Sequence, residues 1–442
     1  MPTPLTQPQF DVLHALARAD ESLTQCRLHE ATGMSLGSVN AAVRELEARG
    51  YVVDRRIADA GLEALKPYRV DNAVIMAAGL SERFAPISYE RPKGTLRVRG
   101  EILSERQICQ LHEAGITDVT MVVGYEKEYF FHLAEQLGVT IVVNDAYPTR
   151  NNNSSLWRVR KRLGSTYICS SNDYFTSNPF EPYVYRACYS AQYVEGPTQE
   201  RCISTGPGGR ITGATIGGRD AWIMLGHAYF DRAFSAAFTR ILEEVYDPPR
   251  TAPLLRESIY LDHIKELDMV IRRYPAGVIN EFDSVDEIRG FDPMFMENVD
   301  SKVFDTISSA LGCAKSQIHD FYPLKQGITN LSCHFAVDDR EYVYRHPGIG
   351  TDKIIDRRAE TASLELAGRL GLDRTLLTSD PVEGWKIFRF IPRMPSHNDF
   401  FHLNFLVGEW LFIYYRHAAD HVDRLLAEYE SAARATGEEA RA

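Results

Sequence analysis

The sequence predicts an α/β protein with a Rossmann-like, mainly parallel sheet, preceded by a small winged helix-turn-helix domain and followed by a partial α+β region. Three observations predict it. From Ala73 onward, apolar runs of strand length alternate with helix-period segments, the rhythm of a parallel sheet covered by helices. Residues 8–50 hold a helical period interrupted by a glycine turn. Beyond Ser301 a helical stretch leads into a strand, a turn and a second strand. The expected divisions are residues 1–68, 69–298 and 299–442.

At 442 residues the chain is long enough for two to four domains. Its 44% hydrophobic and 25% charged content is that of an ordinary globular protein, and the net charge of -11 argues against broad binding to nucleic acid or anionic membranes. The seven cysteines are odd in number and form no CxxC pair, so they read as reduced thiols, with neither a zinc site nor a disulfide framework. The start "MPTPLTQPQF" lacks the basic region and apolar core of a signal peptide, and no apolar run approaches the ~20 residues that span a membrane. The expected location is the cytoplasm.

In the first segment, Phe10, Val12, Leu13, Leu16 and Ala17 mark a helix. A short helix follows, then the turn Thr32-Gly33-Met34, then a helix capped by Ser35 or Ser38 and stopped at Gly50. "YVVDRR" reads as a wing. This organisation points to DNA as a partner, with Asn40 and Arg44 on the recognition helix, or to a regulatory or dimerising module. From Met1 to Val70 there are eight Lys/Arg and nine Asp/Glu, so the positive surface that phosphate contacts require is missing.

In the second segment, "AVIMAAG", "DVTMVVGY" and "TIVVND" read as strands, and "ILSERQICQLHEAG" and "KEYFFHLAEQLG" as helices. Ligands of such sheets sit beyond the carboxyl ends of the strands, where Ala77-Ala78-Gly79 lies. The loop has neither GxGxxG nor GxxxxGK[ST] spacing, so it is neither a dinucleotide fingerprint nor a P-loop. A triphosphate needs close backbone amides, which the small residues Ala77, Ala78, Gly79 and Ser81 allow. It also needs cations where charge develops as pyrophosphate leaves, a role that fits Arg83 and Lys93.

"MAAGLSERFAPISYERPKG" resembles the signature loop of the nucleotidyltransferase superfamily. "NNNSSLWRV", "YICSSNDYF" and "INEFDSVDEIRGF" follow in the family's order, and with "SIYLDHIKELDMVIRRY" they are most similar to bacterial phosphocholine cytidylyltransferases. The resemblance covers roughly residues 70–292. It implies that a substrate phosphate oxygen attacks the α-phosphorus of CTP, giving CDP-choline and pyrophosphate. It implies nucleotide contacts from Asn153 and Ser154, and Mg²⁺ held by Asp173, at the end of a strand, and by Asp283. A phosphocholine acceptor needs aromatic faces and a carboxylate. Trp157, Trp222, Tyr189, Tyr229 and Tyr260 are the candidate rings and Asp262 the counter-charge. A sugar phosphate or another phosphorylated alcohol is the alternative acceptor. A DNA-binding regulator that senses a nucleotide or choline metabolite is the alternative of a different class.

The third segment resembles choline kinases of the aminoglycoside-phosphotransferase-like group. "LKQGITNLSCHFAV" is similar to their nucleotide loop, "EYVYRHPG" to the strand with the phosphate-binding cation, here Arg345, and "SHNDFFHLNFLV" to the catalytic loop. Glu360 is the expected partner of Arg345; Asp399 would orient the substrate and Asn404 would bind metal. Only "RMPS" separates "FRFIP" from the catalytic loop, and no Asp-bearing strand follows "NFLV", so the resemblance implies a degenerate kinase.

Overall fold

A computed structural model describes residues 4–19, 21–324, 330–348, 350–351 and 355–391. The chain divides into two compact units, Met1–Phe304 and Asp305–Ala442.

The first unit opens with helices α1 (Gln7–Ala17), α2 (Gln25–Thr32) and α3 (Leu36–Ala48), a wing of β1 (Val52–Val53) and β2 (Arg56–Ile57), and helix α4 (Asp59–Leu65). The caps follow the sequence. Thr24 accepts from the Arg27 amide, Gly33 ends α2 at φ 67°, and Ser35 rather than Ser38 caps α3. Asp54 and Arg55 take positive φ, as a two-residue hairpin turn demands. Phe10, Leu13, Leu16, Val39, Val43 and Leu46 close the core of this winged helix.

The sheet domain begins with β3 (Asn72–Ala77), then β4 (Arg97–Val98), β5 (Glu101–Ile102), α5 (Leu103–Glu113), β6 (Val119–Val123), α6 (His132–Leu137), β7 (Thr140–Val143), α7 (Asn153–Val159), β8 (Thr166–Ser170) and β9 (Asp173–Phe175). A long hairpin, β10 (Cys188–Thr205) and β11 (Ile211–Phe230), is followed by α8 (Arg232–Val245), α9 (Arg256–Asp262), β12 (Val270–Tyr274), β13 (Ile279–Glu281), α10 (Val285–Phe291) and α11 (Phe295–Asn298). The main sheet runs β12-β10-β11-β8-β3-β6-β7, with β11 antiparallel to both neighbours and every other pair parallel. Ala73, Ile75 and Ala77 of β3 face the core beneath α5, while Val74 and Met76 face the core beneath α7 and α8. This alternation, with both faces covered, is why the strand reads as continuously apolar. The chain leaves β3 for β6 and β7 on one side and returns to β8 on the other. The switch point therefore lies at the carboxyl ends of β3 and β8.

Two sequence expectations change. "KEYFFHLAEQLG" is a 3₁₀ turn (Lys127–Phe130) plus the short α6, not one helix. Asp173 does not end its strand. The ladder stops at Ser170, Ser171 and Asn172 turn the chain, and Asp173 begins β9 in a separate pair with β13. Asn172 enforces the change of sheet by donating its amide to the Phe282 carbonyl at 2.7 Å.

Helix α12 (Lys302–Leu311) leads into the second unit. There β14 (Ile318–Pro323), β15 (Asn330–Val337), β16 (Arg340–Pro347), α13 (Arg357–Arg369), β17 (Leu376–Ser379) and β18 (Lys386–Arg389) form an antiparallel sheet of order β14-β15-β16-β18-β17, with one helix described after β16. Among the described residues, the ion-pair partners of Glu360 within 4 Å are Arg357 at 3.1 Å and the fully buried Lys386 at 2.9 Å. Arg345, expected in that role, stands opposite Lys386 in the ladder and meets Glu360 only at longer range. In sequence Lys386 is inconspicuous, because it opens an apolar strand. Asp399 and Asn404 lie outside the described residues.

Candidate active site

The site grows from the carboxyl end of β3. Gly124 lets the next strand's loop approach: a Cβ there would sit 2.6 Å from the Ala78 carbonyl. That carbonyl accepts from the Tyr125 amide at 3.0 Å, and the Met76 carbonyl accepts from the Ser171 amide at 3.1 Å. The loop is thus pinned by its carbonyls. The amides of Gly79, Leu80 and Ser81 have no acceptor among the described residues, so they are available to a polyanion. A Cβ on Gly79 would meet nothing within 4 Å, so the protein itself leaves the room over this loop; the positive φ belongs to Ser81. Gly79→Ala is therefore expected to leave the melting temperature unchanged and to raise KM for the nucleotide roughly tenfold, read by steady-state kinetics. An unchanged KM removes the loop from the nucleotide site.

Arg83 and Lys93 reach the same place by two 3₁₀ turns, Glu82–Phe84 and Lys93–Thr95. Gly94 seats the second turn, because a Cβ there would lie 2.8 Å from that of Ser171. The Arg83 guanidinium pairs with Asp283 at 2.7 Å. The Lys93 ammonium stands 5.7 Å from the Phe84 ring centre. Burial pulls its pKa below that of an ordinary lysine, against the opposing pull of Asp283, Glu281 and Asp173.

Asp173 is fully buried. One carboxylate oxygen accepts from the Ser170 amide at 3.4 Å, and the other has no partner among the described residues. Burial, with Glu281 beside it, holds this carboxyl well above the usual range. Glu281 is opposite Asp173 in the β13–β9 ladder and accepts from the Gly226 amide at 3.1 Å; burial, reinforced by Asp283, raises it as well. The structure therefore gathers Arg83, Lys93, Asp173 and Asp283 around the Gly79 loop and adds Glu281. The signal for Glu281 was in the sequence: it lies two residues before Asp283, in the same acidic motif, and ends β13 where Asp283 follows.

Arg256 is the second unforeseen residue. It is buried, bonds Glu257 at 2.5 Å and the Tyr189 hydroxyl at 3.3 Å, and approaches the Met76 sulfur at 3.7 Å. Burial pushes the Glu257 carboxyl up, but the adjacent guanidinium outweighs this and holds it below the usual carboxylate range.

Other expected site residues are engaged elsewhere. The Asn153 amide bonds the carbonyls of Thr251 and Leu254, and Ser154 accepts from Asn144 at 2.8 Å, so the Asn-rich segment staples α7 to residues 251–256. Trp157 stacks on Tyr246 at 4.0 Å and carries Arg160 at 3.8 Å. Trp222 meets Tyr193 edge-on. Tyr229 and Tyr260 lie in different apolar cores, and Asp262 is exposed at the end of α9. These residues form no single cage. Tyr189, through Arg256, is the candidate ring that connects to the carboxylates.

Two buried or half-buried carboxylates facing cations and free amides suit a hard divalent ion, and the unpartnered oxygen of Asp173 is an acceptor in need of charge. Among the described residues no group of three His, Cys, Asp or Glu is placed to hold a metal. Mg²⁺ is commonly held by one or two carboxylates with the rest supplied by phosphates and water, so Asp173 and Asp283 fit that pattern.

Residues 3–61 match the MarR family and residues 73–169 the MobA-like NTP transferase domain. A choline-phosphate cytidylyltransferase of Streptococcus pneumoniae is 31% identical over 217 residues, which are 49% of this chain and 95% of the relative. The chain belongs to the bacterial choline-phosphate cytidylyltransferase family of nucleotidyltransferases. Within this family, a 2-aminoethylphosphonate cytidylyltransferase of Lancefieldella rimae is 34% identical over 50% of this chain and 92% of its own length. The solved CTP:phosphocholine cytidylyltransferase of S. pneumoniae aligns with TM-score 0.49 and 30% identity, over 51% of this chain and 99% of that one. The transferase domain is the part these relatives share. The winged helix and the second unit flank it.

Proposed function

We propose that the transferase domain moves a cytidylyl group from CTP to phosphocholine, releasing pyrophosphate and CDP-choline. The observation that carries this reading is that two relatives, each covered over more than nine-tenths of its length, are named for acceptors that join an amine to a phosphoryl or phosphonyl group. In this reading the amides of Gly79, Leu80 and Ser81 seat the triphosphate. Lys93 and Arg83 face the charge that grows on the leaving pyrophosphate, and the acceptor's phosphate oxygen attacks the α-phosphorus in line. Asp173 and Asp283 would hold Mg²⁺, which neutralises phosphate charge. Glu257, whose second oxygen is buried beside Tyr189 without a hydrogen-bond partner among the described residues, supports a cationic head on the acceptor.

A pyrophosphate-release screen tests it, crossing CTP, UTP, ATP and GTP with phosphocholine, phosphoethanolamine, 2-aminoethylphosphonate and hexose 1-phosphates. CTP with phosphocholine is expected to be fastest. A hexose 1-phosphate ahead of every amine-bearing acceptor defeats the reading.

The MarR match favours a second role for the winged helix in binding DNA. Its near-neutral charge, eight Lys/Arg against nine Asp/Glu over residues 1–70, predicts weak, salt-sensitive binding without specific retention at physiological salt in a gel-shift titration.

A further inference from the structure

Helix α1 does not pack flush on the transferase domain. One side of the junction is closed: Phe10, Tyr68 and Tyr185 pack at centroid distances of 5.1–5.4 Å, and the Tyr185 hydroxyl donates to the Leu5 carbonyl at 3.0 Å. Beside this cluster a cavity of about 440 Å³ remains. Asp11, His14 and Arg18 line it from positions i, i+3 and i+7 of one helix face; the opposite wall is residues 181–186 and the edge strand β12. Ligand clefts of roughly 300–1,000 Å³ concentrate at such domain junctions.

The lining carries charges of both signs. Asp11 is half-buried and accepts from Gln7 at 2.8 Å, with no cation within 4 Å among the described residues. Phe10, His14 and Tyr183, whose rings contact one another through His14, line the same cavity. Arg18 and Arg272 share one oxygen of Glu181, at 3.2 and 2.9 Å, His14 stands 3.2 Å from the other, and Arg186, which pairs with Asp268, joins them in the lining. Three guanidinium groups thus face two carboxylates. An ammonium is recognised by aromatic faces and a carboxylate, and a phosphate or phosphonate by guanidinium forks.

We propose that this cavity is a second, non-catalytic site for a small zwitterion with an alkylammonium head and a phosphoryl or phosphonyl end, clamped between α1 and β12. The choice of ligand class rests on the acceptor proposed above; the existence of the site does not. The cavity wall includes Cys188 and Ile271, next to and paired with Tyr189, which bonds Glu257 and Arg256. A ligand here therefore leans on the strand that carries the active-site tyrosine.

Equilibrium dialysis of the full chain without nucleotide tests the proposal, with phosphocholine and 2-aminoethylphosphonate as separate probes. The Asp11→Asn/Arg18→Ala variant is expected to bind one molecule fewer per chain than the wild type, with kcat at saturating substrates unchanged. Choline alone and inorganic phosphate are expected to bind at least about tenfold more weakly than the zwitterion. Equal stoichiometry in variant and wild type for both probes overturns the site. Choline binding as tightly as phosphocholine overturns the two-ended ligand. If the transferase centre proves to use another acceptor, the difference of one molecule still stands, so the two failures are distinguishable. Asp11→Asn alone, which keeps the side-chain shape, replaces the double variant if that one is unstable, and is expected to weaken binding about tenfold.

Discussion

Asp173→Asn is expected to lower kcat more than about 10²-fold, equivalent to about 2.7 kcal/mol of transition-state stabilisation, without lowering the melting temperature. The two outcomes have one cause. Asp173 is wholly buried, has an oxygen without a partner among the described residues and faces Glu281. Its carboxyl is raised by burial and by that neighbour. Below the unfolded value of about 3.9 both states hold the proton. As pH rises from there through the folded value, the unfolded chain has released a proton that the folded chain retains, so stability falls across that window. Asparagine is neutral throughout and removes the fall. Melting curves from pH 4 to 8 without divalent ions, set beside single-turnover rates, check both halves. Near wild-type turnover contradicts the role. A sharply lowered melting temperature across the whole range marks the residue as structural instead.

Lys93→Ala is expected to cost a similar factor, more than about 10²-fold in kcat/KM, because it leaves Asp283, Glu281 and Asp173 without the cation they share, at the place proposed for the phosphates. The wild-type pH profile carries the same information. In the proposed mechanism activity needs Lys93 charged, which fails as pH rises, and Asp173 ionised, which fails as pH falls. Burial lowers the lysine and raises the aspartate, so the bell is narrower on both sides than ordinary values of about 10.4 and 3.9 would make it. In the alanine variant the alkaline limb set by Lys93 disappears. A limb that persists unchanged assigns it to another group.

The loop from Ala77 to Lys93 was legible because its ingredients are local: small residues at a strand end, then two cations on short turns. Asp283 was legible through its motif, and the pairing with Arg83 joins the two stretches. Arg256 was not legible, since a buried ion pair declares itself only through neighbours such as Met76 and Tyr189, distant in sequence. The aromatic candidates failed to converge for the opposite reason. A ring looks the same in sequence whether it lines a pocket or fills a core, and Tyr229 and Tyr260 fill cores on the two faces of the sheet. Asn153 and Ser154 look like ligand contacts in sequence, but short polar side chains at a buried helix start are taken first by nearby backbone groups.

One side chain on α5 settles where Asp173 stands. The Gln107 amide donates to the Ser170 carbonyl at 2.8 Å and to the Asp173 carbonyl at 2.9 Å, holding both sides of the bend where the chain passes from the large sheet to the small one. The acidic corner is therefore not a portable peptide. Grafting residues 170–173 into another scaffold would carry the carboxylate but not its aim, unless a helix bearing that glutamine travels with it.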